Sequence, residues 1–269
     1  MARRFERYVA IGDSSTEGLD DPAAAGGYRG WANRLAERLA AEQGSLLYAN
    51  LAVRGRGARQ IREQQLERAL SMRPDLVTAV AGMNDLVRPR FDVAAVAGEV
   101  EAMLGALVAA GATVLTFSLP DISRVLPIAR RLAPRVHAWS QALHGVCVRT
   151  GAICIDFSAS PVAADPRLWS QDRFHANPVG HALIAQALAQ ALELPGADGS
   201  WARPLPEAPS SPAHERLVSE LRWWRSHFLP WLWRRVRGRS SGDGRGPKQP
   251  ELCPVPDPRY WPVSSAEGP

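Results

Sequence analysis

Two serines and a carboxylate stand together near the start of the chain, in the run 8–18, YVAIGDSSTEG. A hydroxyl becomes a nucleophile when a base can take its proton and a further group holds that base. The chain supplies such groups far downstream, in Asp172-Arg173-Phe174-His175. His175 is the natural base, and Asp172, three residues earlier, can approach its Nδ1 from the same turn, fix the tautomer and stabilise the imidazolium. Ser14 would then face His175 from another part of the fold. Acyl cleavage also needs donors aimed at the developing oxyanion. Gly55, in RGRGAR, lacks a side chain and so lets its backbone N–H approach a ligand oxygen. The side-chain amide of Asn84, in GMND, offers a second donor and the N–H of Ser14 itself a third.

Neighbouring polar residues have simpler readings. Ser15 suits a helix-capping hydroxyl and Asp13 a turn-stabilising carboxylate. Asn50 satisfies backbone groups beside its strand, Asn177 caps a helix, and His181 packs at that helix's start. Asp85 orients the loop of Asn84. His137 and His144 lie seven apart on one helical face without a carboxylate or cysteine partner, a poor metal site. No Walker loop, H-E-x-x-H or G-x-S-x-G elbow is present, and RGRGAR lacks the third glycine and acidic residue of a dinucleotide fingerprint. Neither a metal nor a cofactor is expected.

The elements that must position these residues alternate. Strand-like runs at 8–12, 47–53, 75–82, 113–120 and 153–158 are each followed by a helical pattern, near 30–42, 58–72, 92–110, 128–149 and 178–193. Five strands, apolar on both faces and each followed by a helix, predict a parallel sheet covered on both sides. Such sheets bind ligands at the carboxyl ends of their strands. The four polar clusters sit at those ends or, for DRFH, beyond a long loop after the fifth.

GDSSTEG at 12–18, NLAVRG at 50–55, GMND at 82–85 and DRFH at 172–175 resemble, in order and spacing, the four sequence blocks of the SGNH hydrolases, also called GDSL esterases/lipases. The resemblance covers residues 8–194. It implies a three-layer α/β/α sandwich like flavodoxin, Ser14 as nucleophile, Asp172 and His175 completing a triad, and Ser14, Gly55 and Asn84 as the oxyanion hole. Ser15 stands where the short family name has leucine, which leaves the nucleophile in place and weakens any inference to lipases in particular.

Composition sets the frame. The 269 residues, of which 46% are hydrophobic, suffice for one good-sized domain with extensions. Cys147, Cys154 and Cys253 share no metal or disulfide spacing, which fits a reducing compartment. MARRFERYVAIG carries no apolar signal stretch, so a cytoplasmic location is expected. The uncharged window 102–120 reads as a buried helix and strand rather than a membrane span, because Gly111 divides it and Thr113, Thr116, Ser118 and Pro120 dilute it.

The expected organisation is a hydrolase domain over 1–195, a Pro/Gly/Ser-rich linker over 196–213, a basic Trp/Arg-rich amphipathic segment over 214–239, and a poorly ordered Pro/Gly-rich tail over 240–269. Leu217, Leu221, Trp224 and Phe228 are spaced as one helix face, and Pro230 should kink or end that helix. Six arginines and no carboxylate lie between 222 and 240; packing on the domain is the first reading of this segment, contact with an anionic membrane the second, and nucleic acid a distant third. The expected activity is a serine esterase taking a short acyl or acetyl ester. An acyltransferase using the same site, or a binding protein working through its C-terminal segment, are the alternatives.

Overall fold

In the computed structural model, residues 4–23, 26–120, 123, 125–158, 160–207, 213–237 and 239–255 are described. Five strands run parallel: β1 (Arg7–Ile11), β2 (Leu47–Asn50), β3 (Leu76–Ala79), β4 (Thr113–Phe117) and β5 (Ile153–Ile155). Their spatial order, β5-β4-β3-β1-β2, reverses direction between β1 and β3. That reversal is the topological switch point, where the loops leaving neighbouring strands diverge and open a crevice.

Period-two alternation divides the strands between two cores. Val9, Ile11, Val77, Ala79 and Val114 face one side, where α6 (Val93–Ala109) and α7 (Ala133–Thr150) contribute Met103, Leu104, Trp139 and Leu143. Tyr8, Ala10, Leu76, Leu115 and Phe117 face the other, under α2 (Gly30–Gln43) and α8 (Pro178–Ala191). The result is the expected three-layer α/β/α sandwich. The apolar window 102–120 is the end of α6 followed by β4, and among the described residues no helix is long and apolar enough to cross a membrane.

The sheet has six strands rather than five. β6 (Gln249–Pro254) pairs antiparallel with β2, matching Leu47 with Pro254 and Tyr48 with Cys253, and the Gln249 side chain donates to the Tyr48 carbonyl at 2.7 Å. It comes from the segment expected to be a poorly ordered tail. Too rich in Pro and Gly to build a core, the segment instead completes the edge of one already made; Pro250 and Pro254 are tolerated there because an edge strand needs only one side of its ladder. Residues 256–269 of that tail lie outside the described residues.

The basic segment is helical, and its helix does not end at Pro230. It forms α9 (Ala213–Trp223), a π-helical turn Trp224–Phe228 and α10 (Leu229–Val236), so the chain stays helical through Pro230. The wider turn just ahead of the proline relieves the clash of its ring with the preceding carbonyl. Leu221 and Trp224, expected on the packed face, are exposed, and among the described side chains of the segment Trp223 is buried; the side chain of Leu217, expected on the same face, lies outside those described.

Candidate active site

β1 ends at a turn held from several directions. Gln65, 3% exposed, accepts from the Gly12 N–H at 2.8 Å and donates to the Gly12 carbonyl at 2.9 Å. It sits in a π-helical turn, Arg62–Leu66, between α3 (Ala58–Ile61) and α4 (Glu67–Ser71), an irregularity of the kind that often re-aims a side chain at a working site. Asp13 then caps the short helix α1 (Ser14–Glu17), its carboxylate accepting from the Ser15 N–H at 3.1 Å. Gly18 closes α1 with a φ of 94° and meets Gly30 at the start of α2, where a Cβ on Gly18 would lie 2.6 Å from the Gly30 Cα. Ser14 is thereby fixed at the first position of α1, beside the switch point.

From the long connection after β5, on the same rim, comes the turn 170–176. Trp169 and Ala176 form an isolated antiparallel bridge, and Asp172 Oδ1 accepts from the N–H groups of Phe174 at 2.8 Å and His175 at 3.0 Å. Asp172 Oδ2 lies 2.6 Å from His175 Nδ1, and His175 Nε2 lies 2.8 Å from Ser14 Oγ. The three residues named from the sequence are thus joined in one hydrogen-bonded chain. Burial opposes ionisation of Asp172, but its bonds from His175 and Ser170 outweigh that and hold its carboxyl well below the usual carboxylate range. Burial likewise disfavours the imidazolium of His175; the hydrogen bond and charge of Asp172, with Asp20 and Asp13 behind it, prevail and raise its pKa above 6.5.

No motif in the sequence singles out Asp20. Its Oδ2 lies 3.8 Å from His175 Nδ1 and 2.6 Å from Ser170 Oγ, which lies equally close to Asp172 Oδ1, so one hydroxyl bridges two carboxylates behind the imidazole. Among the described residues, ligand atoms of Asp20, Asp172 and His175 lie within 4.8 Å of one another, near enough to share a cation, yet Asp172 and His175 already use theirs on each other and on Ser14.

The other blocks reach the same turn. Asn84, in α5 (Met83–Leu86), donates from Nδ2 to Asp13 Oδ2 at 2.9 Å and to the Arg56 carbonyl at 3.1 Å, so both its amide hydrogens have acceptors. Burial lifts the Asp13 carboxyl to about 6, against the Ser15 N–H, His175 and Asn84. Arg54 is tied through its N–H to Glu17 of α1 at 2.9 Å, placing Gly55 on the rim with a φ of 76°. A Cβ on Gly55 would lie 2.1 Å from Ser240 Oγ, because the C-terminal segment crosses this turn.

The simpler readings divide. Asn50 donates to the Thr16 carbonyl and accepts from the Ala52 N–H, and Asn177 caps α8. His181 is buried, accepts from the Trp31 N–H at Nδ1 and donates to the Leu19 carbonyl, and burial presses its pKa down to about 4. Asp85 accepts from the Ala58 N–H, bracing the Asn84 helix against α3. Ser15 is not a cap: Asp13 takes that role, and Ser15 Oγ accepts from Trp31 Nε1 at 3.2 Å.

Beside His175 opens a cleft walled by Phe117, Leu119, Phe157, Leu168, Ile184 and Trp201. A smaller one shares Met83, Leu119, Pro120 and Phe174 with it. Both are almost wholly apolar.

A family model described as the GDSL-like lipase/acylhydrolase family matches residues 10–183. No curated protein sequence matches the chain. Among solved structures, a catalytic mutant of an acetylxylan esterase from Geobacillus stearothermophilus is 18% identical, with a TM-score of 0.59 over 76% of this chain and 99% of that one. A psychrotrophic esterase from Pseudoalteromonas sp., inhibited by monoethylphosphonate, is also 18% identical, with a TM-score of 0.55 over 70% and 97%. A lipase/acylhydrolase from Enterococcus faecalis is 19% identical, with a TM-score of 0.57 over 70% and 95%. At these identities the likeness is one of fold.

The two carboxylates behind His175 predict its titration. Because the folded pKa is raised above 6.5, the stabilisation from this pairing is fully present below that value and fades as pH rises through the folded one. In Asp20→Asn, NMR titration should place the His175 midpoint below that of wild type, and in Asp172→Asn lower still. A midpoint unmoved in both variants would contradict this electrostatic picture.

Proposed function

We propose that this chain, which belongs to the GDSL-like lipase/acylhydrolase family and is an ester-hydrolysing serine hydrolase, attacks its substrate with Ser14, using His175 as base and Asp172 to hold it. The observation that carries the assignment is the chain of hydrogen bonds from Asp172 through His175 to Ser14, at 2.6 and 2.8 Å. Ser14 Oγ adds to the ester carbonyl carbon while its proton passes to His175 Nε2. The tetrahedral intermediate collapses to an acyl-enzyme, and His175 returns the proton to the leaving alcohol. Water, deprotonated by the same nitrogen, then releases the acid.

The oxyanion is received by the N–H groups of Ser14 and Gly55 and by Asn84. The Asn84 amide turns one hydrogen from the Arg56 carbonyl, its longer contact, and keeps the other on Asp13. An acyltransferase differs only in the acceptor at deacylation, and product partition with an added alcohol separates the two.

The apolar cleft beside His175 takes the acyl part. Acetyl and short acyl esters fit the reading from sequence, and two structural neighbours named as acetylxylan esterases agree with an acetyl group. The cleft walls favour a few further carbons. A second partner class, an anionic membrane surface, fits residues 222–239: Trp224, Leu229 and Trp233 are exposed there among arginines.

Each buried methylene is worth about 0.8 kcal/mol, so kcat/KM should rise about fourfold per methylene from p-nitrophenyl acetate until the cleft is filled. Ser14→Ala should lower kcat by at least about a thousandfold on every ester. Near-wild-type turnover by Ser14→Ala would end the assignment, and a flat or falling series would remove the acyl role of the cleft. Purified full-length protein should co-sediment with vesicles containing phosphatidylglycerol and less with phosphatidylcholine alone, and Trp233→Ala should weaken that binding. Equal binding to both vesicles, or to neither, would remove the membrane reading.

A further inference from the structure

Residues 184–255 lie outside the segment matched to the family, and one part of them reaches the triad directly. The turn that carries Asp172 and His175 closes on itself: the Ser170 N–H donates to the His175 carbonyl at 2.9 Å, and the Arg173 N–H to the Ser170 carbonyl at 3.0 Å. Arg173 sits at its tip with a φ of 62°, a left-handed conformation that carries strain in a residue with a side chain and persists only where surroundings enforce it. The Asp172 carboxylate is spent inside the turn. Two groups point out of it, the Asp172 carbonyl and the Arg173 side chain, and α9 receives both.

Trp223 Nε1 donates to the Asp172 carbonyl at 2.8 Å, and the indole is only 6% exposed. The Arg173 guanidinium lies 5.3 Å from the Trp223 ring centre, pairs with Glu220 and donates to Ser219 Oγ at 3.4 Å. The peptide unit between 172 and 173 is therefore gripped on both sides by one helix. Rotation of that unit would carry the Asp172 carboxylate away from His175 Nδ1, and a displacement of the order of an ångström in such a group costs about a hundredfold in rate.

We infer that Trp223 is a positioning residue for the triad, and that the C-terminal helix, through Trp223 and the Arg173–Glu220 pair, holds the Asp172–His175 turn in its working register. The inference rests on the assignment of His175 as base. It makes a segment absent from the family's matched region part of this enzyme's catalytic support.

The test uses the full-length protein with Trp223→Phe, which keeps a ring in the pocket and removes the N–H, and Glu220→Gln with Ser219→Ala, which loosens Arg173 from the exposed side of α9. Three quantities are measured: kcat and KM on a p-nitrophenyl ester, the His175 midpoint by NMR, and Tm. Trp223→Phe should lower kcat roughly tenfold at unchanged KM and move the His175 midpoint down by about half a unit or more, with Tm within a few degrees of wild type. The Glu220/Ser219 variant should shift both in the same direction by less. Wild-type kcat and an unmoved midpoint in these variants, or losses that follow Tm alone, would overturn the inference. Should wild type prove inactive on esters, the esterase reading fails separately, and the NMR midpoints still decide: a shift in Trp223→Phe retains the positioning role and no shift removes it.

Discussion

A neutral imidazole has to be held between a hydroxyl and a carboxylate, with both nitrogens committed, although the hydroxyl lies 161 residues away in the chain. Only a rigid framework can meet that constraint. The parallel sheet does so by ending β1 at the switch point, while the long connection after β5 returns over the same rim. Two apolar cores, one on each face, leave the strands no other register without turning buried residues outward.

Around that contact the site separates its carboxylates by environment. Asp172 receives two backbone N–H groups and the Ser170 hydroxyl on Oδ1 and the His175 ring N–H on Oδ2, and remains ionised behind His175. Asp13, buried with fewer donors, rises to about 6 and binds Asn84. Asp20 adds charge at a distance, coupled to Asp172 through Ser170. The arrangement favours an imidazolium during proton transfer, since the charges of Asp172, Asp20 and Asp13 all raise the pKa of His175.

The five strand–helix units and the four polar blocks were legible because each is local: an apolar run, a break, a short cluster. What escaped depends on distant chain. Gln65 looks like any polar residue in REQQLER until the π turn aims it at Gly12. Asp20 follows Leu19 in the run EGLDD, and its part emerges only when Ser170 arrives beside it. Serine suits a capping position, which favours Ser15, yet Asp13 precedes it and takes the role. Periodicity marked Leu221 and Trp224 as the packed face of the basic helix, whereas tertiary contact buries Trp223, whose N–H answers the Asp172 carbonyl. A proline-rich tail offers no periodic signal at all, so β6 is specified by the vacant edge of β2 rather than by its own composition.

The central claim is that the Ser14 hydroxyl, and not its neighbour, is activated. Treating the folded protein with a fluorophosphonate and locating the adduct by mass spectrometry addresses it directly, in wild type, Ser14→Ala and Ser15→Ala. The account predicts an adduct on Ser14 in wild type and in Ser15→Ala, and none in Ser14→Ala. An adduct on another residue, or none in any form of the folded protein, would contradict it.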